Sequence, residues 1–122
     1  MISKTKIAKR LERKTNPLLR EIIVVLKKQK KPLWIRVADL LSRPDNHSVN
    51  IEKLNYLTKE KDTAIVPGKI LALGSLNHQI KVAAFSISES AKQKLKQSKS
   101  QFISIEELLR QNPQGKDVKI II

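Results

Sequence analysis

The chain has 122 residues, with 25 Lys and Arg against 11 Asp and Glu, a formal net charge of +14 and no cysteine. That length suits one domain of ordinary size, and the missing cysteines exclude disulfides, thiolate zinc sites and cysteine nucleophiles, which fits a reducing compartment. Hydrophobic residues make up 40% of the chain but only four are aromatic (Trp34, Tyr56, Phe85, Phe102), so these and mainly Ile, Leu and Val are expected to fill the core.

Residues 1–15 are rich in Lys and Arg and poor in apolar groups, which predicts an extended arm ordered only on its partner. The basic start has no apolar segment behind it, so no signal peptide is expected. Asn16-Pro17 then opens a helix, with Asn16 as N-cap and Pro17 at the first helical position. Leu18, Leu19, Ile22, Ile23 and Leu26 follow helical spacing and predict one apolar face. The longest apolar run, Ile22 to Leu26, is far short of the roughly 20 residues that a membrane span needs. Lys27, Lys28, Lys30 and Lys31 lie at and beyond the helix end, where cations suit the dipole, and Pro32 stops it.

A second helix fits Leu33 to Ser42, with Trp34, Val37, Ala38 and Leu41 on one face and Arg43-Pro44 after it. Trp34 reads as a core anchor. Val49-Asn50-Ile51 predicts a short strand, with Asn50 capping a helical stretch through Ile51, Leu54 and Leu57, and 58–62 a charged turn. From Thr63 the period changes to that of strands. Ala64–Val66 and Ile70-Leu71 form two brief ones parted by a Pro67-Gly68 turn, in which Gly68 supplies positive φ. A longer strand runs from Ile80 to Ile87. Ser90 and Gln93 have capping-box spacing at the head of a Lys-rich helix reaching about Gln97. Ser104 with Glu107, flanked by Ile103 and Leu108, gives the clearest helix start, a capping box with a hydrophobic staple. Asn112-Pro113 ends that helix, Gln114-Gly115 turns, and a final strand covers Val118 to Ile122.

Charge is unevenly placed: residues 1–36 hold 12 basic and two acidic residues, and residues 37–122 hold 13 and nine. A segment so cationic is best relieved by a polyanion, and nucleic acid releases counterions when Lys and Arg neutralise its phosphates. A solvated tail kept basic for solubility is the bland alternative. An anionic membrane fits less well, because the N-terminal apolar stripe lacks a Trp/Phe belt. The few aromatics disfavour a single-strand stacking platform. Phosphate and shape recognition of folded RNA fits better. The expected contacts are Lys4, Lys6, Lys9, Arg10, Arg13 and Lys14 in the arm, then Arg20, Lys27, Lys28, Lys30, Lys31 and Arg36, then Arg43, Lys53, Lys59 and Lys69. Their role is phosphate neutralisation, with arginines also able to fork onto phosphate oxygens.

No enzyme constellation emerges. His47 and His78 lack neighbours at metal-ligand spacing. Ser88 and Ser90 read as helix caps rather than nucleophiles. Val66-Pro-Gly-Lys69 lacks the rest of a phosphate loop. Glu60 and Asp62 are flanked by Lys59 and Lys61, as in a solvated turn. Neither metal nor cofactor nor small-molecule substrate is expected. A DNA-compacting protein stays open on charge alone, and a nuclease using Glu60, Asp62 and Mg²⁺ remains a distant alternative.

Five segments stand in a familiar order: Asn50–Asp62, Ile65-Val-Pro-Gly-Lys-Ile-Leu71, Val82-Ala-Ala-Phe-Ser86, Ser104–Leu109 and Asn112-Pro-Gln-Gly115. With Thr15–Leu18, Trp34, Val37-Ala38 and Arg43-Pro44, they resemble the archaeal large-subunit ribosomal family called "eighteen-e", related to bacterial large-subunit protein fifteen. The resemblance covers roughly residues 15–122. It implies an α/β fold of irregular ββα superhelical turns, residues 16–122 as the ribosomal domain behind a basic extended arm over 1–15, and no catalysis. It further implies a structural place in the large ribosomal subunit, bound in the cytoplasm to ribosomal RNA and to neighbouring ribosomal proteins. Three departures stand out: Ala72 and Asp117 replace common glycines, and only Asp45-Asn-His-Ser48 follows Arg43-Pro44, where the family carries a longer Arg-rich loop. The last shifts the expected RNA contacts toward the N-terminal arm.

Overall fold

The computed structural model describes residues 4–11, 17–29, 31–43 and 48–122. The chain forms two compact units, Met1–Asn46 and His47–Ile122.

In the first unit, α1 (Lys4–Leu11), α2 (Pro17–Lys27) and α3 (Pro32–Ser42) pack against one another. The extended arm expected over 1–15 is thus helical from Lys4 to Leu11. An eight-residue helix is marginal by itself in water. Ile7, however, is fully buried, which contributes roughly 1.5–3 kcal/mol, and Arg10 is tied to α3 by an ion pair. On α2 the buried residues are Ile22, Ile23 and Leu26, whereas Leu18 is 66% exposed, so the apolar face is narrower than its spacing predicts. The helix ends at Lys27 and α3 begins with Pro32 in its first turn, where the missing N–H costs nothing. Trp34, Val37, Ala38 and Leu41 are buried, as their shared face predicts.

The second unit is a five-stranded sheet with all pairings parallel, built from β1 (Ser48–Asn50), β2 (Thr63–Leu71), β3 (Lys81–Ile87), β4 (Gln101–Ser104) and β5 (Val118–Ile120). Helix α4 (Ile51–Leu57) links β1 to β2, α5 (Glu89–Gln97) links β3 to β4, and α6 (Ile105–Gln111) links β4 to β5. Parallel neighbours need such crossovers, and the α/β class read from the sequence holds. Strand β3 pairs along both halves of β2. On the other edge of β2, β5 pairs with Thr63–Ile65 and β1 with Lys69–Leu71. The core gathers Val49, Leu54, Val66, Ile70, Val82 and Leu95, among others, and each is almost wholly buried.

Two expectations change here. The Pro67-Gly68 turn is a bulge inside one continuous β2, where the register shifts between Val66 and Lys69. Proline has no N–H for the ladder, so the strand skips there without ending. Gly68 is not left-handed; the positive-φ glycines are Gly74 (φ 97°) and Gly115 (φ 64°). Tyr56 is no core residue, being 85% exposed, while Phe85 and Phe102 are half-buried.

Both ends of the sheet are defined by what enters and leaves the strands. Strands β1, β3 and β4 run straight into helices whose N-cap residues are Asn50, Ser88 and Ser104. Ser88 Oγ accepts from the Ala91 N–H, so the α5 cap is Ser88 rather than Ser90; Ser104 Oγ accepts from the Glu107 N–H as its capping box predicts. The first turns of these helices carry Glu52, Glu89, Glu106 and Glu107. At the opposite end, Lys61 (φ 66°) and Lys99 (φ 59°) stand two residues before β2 and β4, and Asp117 (φ 58°) stands just before β5.

Candidate nucleic-acid interface

The expected phosphate contacts fall into four groups. Lys6 and Lys9 are exposed on α1, while Lys4 lies in its first turn. Arg20 on α2, Lys28 and Lys31 in the connection to α3, and Arg36 on α3 are also exposed, with Lys27 half-buried. Arg13, Lys14 and Lys30 lie outside the described residues, as do Asn16 and His47. In the second unit Lys53 on α4, Lys59 after it and Lys69 in β2 are exposed.

The remaining two arginines do something the charge pattern does not suggest. Asp39 on α3 is 7% exposed, and one oxygen of its carboxylate takes Arg10 Nη1 at 2.7 Å while the other takes Arg43 Nη2 at 3.0 Å. Arg10 Nη1 also reaches Ser42 Oγ at 3.3 Å. The carboxylate sits between two guanidinium groups, one from α1 and one from just past the end of α3. These arginines therefore serve the structure, and Arg10 ties α1 to α3. The Asp39–Arg43 pair has helical i, i+4 spacing and is readable from sequence on that ground. Arg10, 29 residues from Asp39, leaves no local signal.

Other cations of the second unit are similarly engaged. Lys94 Nζ donates to the carbonyls of Ala72 (2.6 Å) and Gly74 (2.5 Å), closing the loop after β2 onto α5. Glu52 N–H donates to Leu73 O. A Cβ added at Gly74 would lie 2.8 Å from Glu52 Cα and nearer still to its Cβ, so this loop admits only glycine at 74. Lys119 Nζ pairs with Asp62 at 2.8 Å, and the Lys59 N–H donates to the same carboxylate. These hydrogen bonds, led by that from Lys119, hold the Asp62 carboxyl below its ordinary value of 3.8. Glu60 accepts from the Gln79 N–H, so both carboxylates of the Mg²⁺ alternative are engaged by donors from outside the turn. Among the described residues no three His, Asp or Glu side chains form a metal-ligand group. His78 Nε2 donates to Thr58 Oγ1 at 2.8 Å, whose own proton goes to Leu54 O. Among the described residues, no helix is long and apolar enough to cross a membrane.

By composition, residues 1–46 hold 13 basic and four acidic residues, and residues 47–122 hold 12 and seven. What the described residues offer chemically is charge: exposed ammonium and guanidinium ends on short helices and the segments that join them. No protein-family model matches the chain. It is 42% identical over 109 residues to the large ribosomal subunit protein eL18 of Sulfurisphaera tokodaii, covering 88% of this chain and 92% of that protein. It is 38% identical to the eL18 of Methanoregula boonei, covering 88% of this chain and 94% of that one.

The chain belongs to the eL18 family of large ribosomal subunit proteins.

The eL18 of Archaeoglobus fulgidus is aligned over 99% of its length at 38% identity, so the likeness extends over almost the whole of that relative. As an eL18 homologue the chain is a structural protein rather than an enzyme. The family resemblance and the structure meet at two of the departures noted above. Ala72 lies outside the left-handed region and its carbonyl is held by Lys94, so alanine is tolerated there; Asp117 adopts φ 58°, a conformation natural to glycine.

Proposed function

We propose that this eL18-family chain is a constituent of the large ribosomal subunit that binds folded ribosomal RNA, with its residues 1–46 supplying the principal phosphate contacts. The observation carrying this reading is the set of exposed cations Lys6, Lys9, Arg20, Lys28, Lys31 and Arg36 on three short helices and the connection between the second and third. Lys4, Arg13, Lys14 and Lys30 add charge in the same stretch of sequence, and Lys27 lies beside them. Lys53, Lys59 and Lys69 supplement these from the second unit. Arg10 and Arg43 act chiefly through Asp39, keeping the helices together. Neutralising phosphates along an RNA backbone releases counterions and needs no base-reading module. The place of work is the ribosome in the cytoplasm, beside neighbouring ribosomal proteins and with no membrane or cofactor.

Sedimentation of a native lysate through sucrose, with detection of the chain, tests the assignment: it is expected to travel with the large subunit. In a binding assay with purified full-length protein, replacing Lys6, Lys9, Arg20, Lys28 and Arg36 by Gln is expected to flatten the salt dependence by roughly 0.7–0.9 log unit per lost phosphate. An unchanged slope, or equal affinity for duplex DNA and structured ribosomal RNA at matched salt, counts against this reading.

A further inference from the structure

We propose that the end of the sheet where its strands begin is a second docking site for the RNA backbone, built from Lys61, Lys81 and Lys99; this deepens the RNA-binding reading and rests on it. A cleft at that end is lined by Lys61, Gln79, Ile80, Lys81 and Gln101. Its walls are tied together by the Lys61 N–H to Gln79 O (2.7 Å) and the Gln101 N–H to Ile80 O (2.9 Å). Lys99 is exposed two residues before the cleft residue Gln101, at the same end of the sheet.

Lysine charge prevails at this cleft. Lys61, Lys81 and Lys99 form no salt bridge among the described residues. Lys81 Nζ donates to Gln111 Oε1, a neutral acceptor that positions the ammonium without cancelling it. Of the nearby acids, Asp62 is paired with Lys119; Glu60 accepts from the Gln79 N–H and keeps its charge, and Asp117 lies in the turn before β5. The three lysines thus outnumber the two acids that form no salt bridge among the described residues. The side-chain amides of Gln79 and Gln101 add neutral donors suited to phosphate oxygens.

The other end of the sheet has the opposite character. Ligands of parallel sheets ordinarily sit beyond the strands' carboxyl ends, where helix N-termini favour anions. Here those N-termini carry Glu52, Glu89, Glu106 and Glu107, and Lys94 is engaged by two carbonyls, so an anion arriving there meets carboxylates. Backbone conformation points to the same end. Lys61 and Lys99 occupy left-handed positions that a glycine meets without strain, and strain of this kind persists where the side chain is needed. At α5 the Lys99 N–H donates to Lys96 O and the Ser100 N–H to Leu95 O, the helix-ending pattern in which glycine normally stands.

The test compares full-length wild type with Lys61→Gln/Lys81→Gln/Lys99→Gln and with a control of exposed helix cations, Lys92→Gln/Lys96→Gln/Arg110→Gln, all on structured ribosomal RNA. The sheet-edge variant is expected to lower the salt slope by roughly 2–3, at ~0.7–0.9 per phosphate, to lose more than the control, and to regain the slope when the three are Arg. Equal losses in both variants, or an unchanged slope in the first, overturn the site. Lysine acetylation of the wild-type complex gives a readout independent of any variant's folding: RNA should protect Lys61, Lys81 and Lys99 beyond the exposed Lys92 and Lys96 of α5, and absence of that protection overturns the proposal. Wild type failing to bind RNA at all would sink the broader reading instead.

Discussion

Asp39 holds Arg10 at 2.7 Å across 29 residues of sequence, and that one ion pair joins the first helix to the third. The carboxylate is nearly buried whereas the Arg10 side chain is 28% exposed, so its removal strands a guanidinium that water can partly recover. Asp39→Asn is expected to cost roughly 1–3 kcal/mol, read by urea denaturation. Arg10→Gln should cost less, and the double variant should fall short of the sum of the two. Additive losses would mean that the pair is not coupled.

Gly74→Ala tests the loop after β2. The added methyl runs into Glu52 Cβ and comes within 2.8 Å of its backbone N, in a residue with φ 97°. Overpacking and left-handed strain together should cost about 2–4 kcal/mol, seen as a lowered melting temperature.

Ser88 and Ser90 give a sharper comparison, because both read as caps in the sequence and only Ser88 takes the Ala91 N–H. Ser88→Ala should lose about 1 kcal/mol. Ser90→Ala, on the exposed first turn of α5, should stay within about 0.5 kcal/mol. Equal losses in chemical denaturation would reassign the cap.

Lys99→Gly separates stability from binding. Glycine relieves the φ 59° conformation at the end of α5 and should stabilise the protein by up to about 1 kcal/mol. The same change removes a cation from the sheet edge, so its affinity for structured ribosomal RNA should fall while its melting temperature rises.

Asp62 sets a pH dependence. Its carboxyl lies below its ordinary 3.8 because Lys119 and the Lys59 N–H favour the ionised form. A lowered folded value means that the ionised group stabilises the protein above the ordinary value, and that this contribution fades as pH falls through it. Asp62→Asn should therefore flatten the acid limb of the stability curve below about pH 4, and an unaltered limb would exclude Asp62 as its source.

Helices and strands with strong local punctuation are legible in the sequence. Ser104 and Glu107, Pro32, the helix end at Arg43 and the Trp34 face all fall where their chemistry puts them. Long-range compensation is not. The helix at Lys4–Leu11 is stabilised by Ile7 burial and by Asp39, neither of which local composition reports. The bulge at Pro67-Gly68 looks like a turn because proline leaves the ladder in both cases; only pairing with β3 on either side of the bulge distinguishes them. At the candidate interface, counting cations does not report that Arg10 and Arg43 both pair with Asp39, because sequence does not show which cations find a carboxylate. Size alone places Tyr56 inside, and the fold leaves it in water.

The shared flank of β2 also bears on how this unit matures. β5 is synthesised after every other strand, yet it supplies the partner for Thr63–Ile65, and the Ile121 N–H just after it donates to Ile65 O. Until it emerges, half of a central strand shows bare amides and carbonyls, a template for unwanted pairing with another nascent chain. Closure of that seam is therefore a late and non-local event, and an early halt in translation would leave a sticky intermediate rather than a smaller stable one.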